Sequence, residues 1–277
     1  LNTGSKSGDS DYQRVVDFSA FSGGSYLLDT GSSEIEFDVS SKIIKATIAQ
    51  ATLSIGDNVF INGAFAFTKQ DNLNITLTSG AQKTVSALQI GAENANIFFG
   101  DDGPYLVDTD NDGVPDSTNN DAVGLTLNNV DVAVALLKPT TTSDKARYYA
   151  VKASADLIAL VGIEDIITLQ ATNALLAVNG VSGAGDNAPV ANLSLLDGGG
   201  LSVDTGLSTV LLDFSSPFLR VAVDGAKLSI SQFVYLEGSF SFQRGEKLTV
   251  KVSTGIPASI GSVASGAVDL VNGALDS

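Results

Sequence analysis

Apolar residues alternate with small or polar ones along most of the chain. The segments KATIAQATLSI (45–55), NITLT (74–78), SALQI (86–90), GLTLNNVDVAVAL (124–136), IITLQATNALLAV (166–178) and KLTVKVS (247–253) show it most clearly. A period of two is the signal of a strand with one buried face, and the Val, Ile, Leu and Thr content agrees. AVKASADLIALVGIEDII (150–167) has spacing a helix also uses, but Gly162 interrupts it and its neighbours are strand-like, so it reads as strand. A phrase of strand, short turn, strand recurs in LQIGAENANIFF (88–99), LTLNNVDVAVAL (125–136), ITLQATNALLAV (167–178) and LRVAVDGAKLSI (219–230). Short rungs of this kind suit a coil stacked on itself, so the expected fold is all-β, a β-solenoid resembling a parallel β-helix. Tandem β-sandwich domains use strands of similar length and stand as the alternative.

The pattern also repeats at long range. LSIGDNVFINGAFAF (53–67) matches LSISQFVYLEGSFSF (228–242), and DTGSSEIEFDVSS (29–41) matches DTGLSTVLLDFSS (204–216), both at an offset of 175 residues. The same offset pairs Gly23 and Gly24 with Gly198 and Gly199, and Gly80 with Gly255. Without a gap, 22 of the 70 positions from Asp11/Asp186 to Gly80/Gly255 are identical. The chain then holds about 1.6 copies of a 175-residue unit. The expected division is residues 1–181 as one unit, with an acidic loop at 101–121, and 182–277 as the first part of the next. It reads as a stretch of a tandem array, and such arrays are extended proteins whose length or multiplicity serves the function.

Composition narrows the chemistry. The chain has 277 residues and no Cys, His, Met or Trp. Disulfides are excluded, as are nucleophile pairs built on His and the N and S ligands that zinc, iron and copper favour. The net charge of −16 repels a phosphate backbone, so no nucleic-acid partner is expected. No apolar run reaches the roughly 18 residues of a helical membrane span, so no membrane insertion is expected. Acidic oxygens suit hard cations instead.

The strongest local motif is DTDNDGVPD (108–116). Asp108, Asp110, Asp112 and Asp116 take positions 1, 3, 5 and 9 of a calcium loop, Gly113 takes the sharp turn at position 6, and Val114 offers its carbonyl at position 7. Alternation turns successive carboxylates toward one ion, and glycine relieves the backbone. Position 12, a bidentate Glu in an EF-hand, is Asn119, and the flanks read as strand. A simpler calcium loop is therefore expected, completed by Asp121, Asp101, Asp102 or water. The D-x-D-x-D-G-x-x-D pattern resembles the loops of thrombospondin type 3 repeats and dockerins over these nine residues. Carboxylates crowded on one loop share a cation more readily than they act as a spaced acid and base, so no enzyme activity is expected. Asp29 and Asp204 read as turn formers. Phe65, Phe67, Phe240 and Phe242, spaced two apart, read as core packing.

ALQIGAENANIFFG (87–100), VGLTLNNVDVAVALLKP (123–139), RYYAVKASADLIALVGIEDIITLQATNALLAVN (147–179) and AKLSISQFVYLEGSFSFQ (226–243) follow one another in an order that resembles the long repeats of giant bacterial extracellular proteins, the large repetitive adhesins and calcium-binding haemolysin-like surface proteins. The resemblance implies export from a Gram-negative cell, extension by many repeats, and an adhesive or matrix role at the cell surface. It brings no catalytic residues. No G-G-x-G-x-D run is present, so the roll of glycine-rich calcium repeats is not expected. The expected function is a non-enzymatic structural or adhesive module stiffened by calcium, with neighbouring repeats of the same chain as partners. A self-assembling extracellular fibre, sheath or surface-layer subunit is the alternative, and a β-helix that binds or cleaves surface polysaccharide is a lesser one.

Overall fold

The structure is a computed structural model of the 277-residue chain, and it describes residues 1–3, 15–185, 187–231 and 233–245. The strand expected at 247–253 lies outside the described residues, as does Gly255 of the pair Gly80/Gly255. Alternation produces strands throughout: β1 (Tyr26–Asp29), β2 (Glu34–Phe37), β3 (Ile43–Ile55), β4 (Val59–Leu77), β5 (Gln82–Asp101), β6 (Leu106–Val107), β7 (Ser117–Thr118), β8 (Val123–Pro139), β9 (Arg147–Val161), β10 (Ile167–Ser182), β11 (Ala191–Asn192), β12 (Leu201–Asp204), β13 (Thr209–Leu212), β14 (Phe218–Ile230) and β15 (Val234–Arg244). The ambiguous segment after Ala150 is strand, and it ends where Gly162 takes φ +80°.

The long strands form one sheet in the order β3-β4-β5-β8-β9-β10-β14-β15, with β11 alongside the far end of β4. Every pairing among the described residues is antiparallel. The chain is all-β, but the parallel ladders of a parallel β-helix are not found in these residues. The connections explain why. Residues 56–58 and 78–81 join neighbouring strands by tight turns, which suit antiparallel strands, whereas parallel ones need a long crossover.

The recurring short turns are not corners between rungs. They are β-bulges in the middle of single long strands. The register slips between Ala92 and Ala95 in β5 and between Val223 and Ala226 in β14. Asn94, Asn129 and Asn173 take φ of 50°, 52° and 50°, a left-handed conformation that Asn tolerates. Neighbouring strands tie down these bulges: Asp131 accepts from the Asn94 N–H at 3.0 Å, and Asp156 accepts from the Asn129 side chain at 2.6 Å. In β5 the inward parity changes across this region. In β5 the buried side chains are Val85, Ala87 and Gln89 before it, and Phe98 after it.

Two insertions cover the sheet. Residues 102–122, between β5 and β8, bring Tyr105 and Ala122 against Phe98, Ala159 and Val161. The segment 191–214 lays Leu193, Leu201, Val203 and Leu212 over a sheet face paved with Val85, Ala87, Ala133, Ala135 and Ala150. Small side chains let the backbone of this strap lie close: a Cβ on Gly91 would sit 2.0 Å from the Asp204 carbonyl oxygen.

The elements recur at the spacing of the sequence repeat. β1, β2 and β3 shifted by 175 residues become β12, β13 and β14, each with the same bounds and the same internal register. The 3-10 turn at Phe18–Ala20 becomes the one at Leu193–Leu195. β10 pairs with β14 over Ile167–Asn179, so the sheet passes without a break across the expected unit boundary at residue 181.

Candidate metal centre

The acidic loop is the tip of a small hairpin. β6 and β7 pair through Leu106 with Thr118 and Val107 with Ser117, which brings the two ends of 108–116 together. Short Asp side chains then bond back to the loop backbone. The Gly113 N–H donates to Asp108 Oδ2 at 2.9 Å, the Asp112 N–H to Asp110 Oδ1 at 3.3 Å, and the Val114 N–H to Asp112 Oδ1 at 2.8 Å. Asn111 and Gly113 take φ of 61° and 93°, so the chain winds tightly enough for alternate carboxylates to converge. Carboxylate oxygens of Asp108, Asp110 and Asp112 all lie within 4.8 Å of one another.

Asp108 is the inner member. Its Oδ1 is buried and has no hydrogen-bond partner. A buried anionic oxygen without a donor is costly, and three like charges at this spacing repel. A hard cation bound by the three carboxylates relieves both, so the donor set fits calcium or another oxygen-seeking ion. An apolar cleft lies between the insertion and the sheet, lined by Phe60 and Phe98 of the sheet and by Tyr105 and Pro115 of the insertion.

The other expected ligand residues lie outside this trio of carboxylates. Val114 is exposed, and its N–H serves Asp112. Asp116 accepts from the Ser117 hydroxyl at 3.3 Å and lines a separate recess with Gln50 and Asn62. Asp121 sits with Asp102 and Asn119 around a shallow polar depression, apart from the convergent carboxylates. Asp101 accepts from the Asn58 side chain at 2.6 Å. Asn119, at the position of the missing Glu, is a clamp: its amide donates to the carbonyls of Asp102 at 2.7 Å and Pro104 at 3.0 Å. The carboxylates that converge are therefore those of Asp108, Asp110 and Asp112.

Nothing in the sequence pattern singles out Gln50. Its amide donates to the Gly113 carbonyl at 2.9 Å and to Asn62 Oδ1 at 2.7 Å, fastening the loop tip to β3 and β4. It lies 63 residues from Gly113 and in no local motif, so only the bulge of β3 between Ile48 and Ala51 brings it there. Asp29 and Asp204 cap turns as expected, accepting from the N–H groups of Gly31 at 2.7 Å and Gly206 at 2.8 Å. Of the paired aromatics, Phe65 packs against the central cluster, while Phe67, Phe240 and Phe242 are exposed.

A second cluster of ionisable groups fastens the strap 191–214. Glu93 Oε2 accepts from Thr205 Oγ1 at 2.5 Å, from the Ser208 N–H at 2.9 Å and from Ser208 Oγ at 2.8 Å. The Thr205 hydroxyl is the main reason that Glu93 titrates below its ordinary value; the Ser208 bonds assist, and burial opposes. Lys152 pairs with Asp213 at 2.8 Å and holds that carboxyl low. Burial pushes Asp204 up, but Lys45 at 2.7 Å and the Gly206 N–H together outweigh it, so Asp204 also titrates low. These groups fasten the strap to the sheet. No family model, no curated protein and no solved structure matches the chain.

Proposed function

We propose that this chain is a stretch of an extended, non-enzymatic repeat array that serves as a structural or adhesive module outside a bacterial cell, and that the loop 108–116 binds calcium to stiffen it. The observation that carries the proposal is the junction: β14, the counterpart of β3, pairs with β10 as any interior strand pairs with its neighbour. In this reading one antiparallel sheet runs from unit to unit and coils as a solenoid, whereas separate sandwiches would end the sheet at each boundary. Six long strands belong to each unit (β3, β4, β5, β8, β9 and β10). At a strand spacing of about 4.8 Å, the sheet would lengthen by roughly 29 Å along its own path per unit. Calcium would fold the acidic loop against the sheet and tie rigidity to the calcium-rich exterior.

The calcium limb is tested by melting the chain with millimolar calcium and with a chelator. The expected gain is about 2–3 kcal/mol at an ion concentration near 100 times the dissociation constant. It should vanish in the double variant Asp110→Ala, Asp112→Ala. An unchanged melt in the parent chain sinks the calcium limb. Electron microscopy of a chain of several units tests the array limb, and particles whose length does not grow with unit number sink it.

A further inference from the structure

The second copy of the strap is buried and the first is not. In the second copy Leu201 is 8 % exposed and Val203 is 0 % exposed; their counterparts Tyr26 and Leu28 are 42 % and 43 % exposed. The backbone of the two copies is the same. The Phe18 N–H donates to the Val39 carbonyl at 3.0 Å, and the Leu193 N–H to the Phe214 carbonyl at 2.7 Å. Gly23 and Gly24 take φ of 95° and 85°, and Gly198 and Gly199 take 79° and 78°. A hairpin held in one geometry in both settings is a preformed part.

Its polar side chains are also duplicated. Asp204, Thr205, Ser208 and Asp213 fasten the second strap to Lys45, Glu93 and Lys152 of the sheet beneath. Their counterparts 175 residues earlier are Asp29, Thr30, Ser33 and Asp38, identical at all four positions and all exposed. The apolar face is kept in kind: Phe18, Phe21, Tyr26 and Phe37 stand where Leu193, Leu196, Leu201 and Leu212 stand, with ring centroids 5.4–6.5 Å apart.

A separate observation lies at the sheet edge. Asn179 of β10 donates to the carbonyls of Ala191 at 3.0 Å and Ser216 at 2.8 Å as β10 pairs with β14. Asn2 repeats this with Val16 at 2.8 Å and Ser41 at 3.2 Å, and it bridges to Ile43, the counterpart of Phe218. Asn2 therefore occupies the place of the last part of a β10. Beyond that bridge, β3 has no strand on its outer edge among the described residues.

We infer that residues 17–38 are a docking strap for a preceding copy of the same unit: they would close over that copy's β4–β9 face while its β10 pairs with β3. The inference rests on reading the chain as a stretch of a repeat array, and it names the surface and the contacts that join one unit to the next. Asp29 would meet the copy's Lys45, Thr30 and Ser33 its Glu93, and Asp38 its Lys152. The occupant is the unit itself, because the second strap shows which face this geometry and these four polar groups fit.

The test joins an added copy of residues 39–178, which carries no strap of its own, directly ahead of Asn2, so that Asn2 continues the added β10, and compares hydrogen exchange with that of the 277-residue chain. In the parent chain, amides of 26–37 should exchange fast and those of 201–212 slowly. In the extended chain 26–37 should slow by at least about 100-fold, and Glu93→Gln in the added copy should reverse part of that gain. Fast exchange at 26–37 in an extended chain whose 201–212 remains protected overturns the inference. A companion chain with Phe18→Leu, Phe21→Leu, Tyr26→Leu and Phe37→Leu checks the added face: protection there but not with the natural aromatics still overturns the inference and places the fault in aromatic size. Protection of 26–37 in the parent chain that grows with protein concentration overturns it as well, since the occupant is then a second molecule. The calcium and microscopy results bear on the proposed function and leave this exchange result readable in either case.

Discussion

The hairpins β1–β2 and β12–β13 are the same object in two settings. Their registers agree pair for pair, and their glycines take the same left-handed conformations. Yet one buries Leu201 and Val203, and the other leaves their counterparts Tyr26 and Leu28 open. The difference teaches that local sequence forms the hairpin, while burial depends on which sheet lies beneath it. Turn chemistry at Asp-Thr-Gly needs no partner: the Asp side chain accepts from the glycine N–H two residues on in both copies. The hydrophobic contribution comes only with the sheet face.

The comparison is broken most strongly by a buried charge. Val203→Asp places an unpaired carboxylate at a fully buried site and should destabilise the chain by more than about 4 kcal/mol, read from denaturant unfolding. Leu28→Asp, at the matching position, should stay within about 0.5 kcal/mol of the parent. Equal losses at the two positions would falsify the contrast between a covered strap and an open one. Gly91→Ala comes next. The new methyl meets the Asp204 carbonyl, so the strap must lift, at a cost of about 1–3 kcal/mol. Exchange should quicken at 201–212 and stay unchanged at 26–37; a change at both would mean that the substitution disturbs the sheet instead.

The smallest effects are electrostatic. Glu93→Gln weakens the charge-assisted bonds from Thr205 and Ser208 and should cost about 1 kcal/mol. The pH dependence follows from the same group with Asp204 and Asp213. All three titrate below their ordinary values in the folded chain. Their contribution is therefore fully present above the ordinary carboxylate range of about 4, and is lost as the pH falls through the lower folded values. Exchange at 201–212 should rise as the pH is lowered below about 4, after correction for intrinsic rates, while that at 26–37 stays fast throughout. A strap whose protection is flat down to about pH 2 would show that these bonds contribute nothing to docking.

The strand content was legible from alternation, and the repeat from a constant offset between matching phrases. The bulges were legible only in part. Asn128-Asn129 and Asp224-Gly225 announce a backbone break, but nothing local says whether the chain turns back or carries on. Asn94 and Asn129 carry on, because neighbouring strands supply Asp131 and Asp156 to bond the bulge and the next residues resume the ladder. The acidic loop shows the same limit. Alternation of Asp108, Asp110 and Asp112 implied convergence, since a tight turn brings alternate side chains to one point. Position counting adds Asp116 and leaves Asn119 as an empty place, which Asp121, Asp101, Asp102 or water is expected to fill. In the structure the converging carboxylates are Asp108, Asp110 and Asp112, Asp121 lines a polar depression with Asp102 and Asn119, and Asn119 clamps the backbone at the base of the insertion.

By itself the sequence determined the elements with short causes: strands from alternation, turns from Asp, Asn and Gly, a tight acidic loop, and a unit that recurs after 175 residues. The tertiary structure alone decided which copy of the strap is covered, that the ladders are antiparallel, that β14 takes up the sheet where β10 leaves it, and that Gln50 reaches the acidic loop. These depend on contacts between residues far apart in the chain. Such contacts are set by which faces are brought together, and a period of two marks a face without naming its partner.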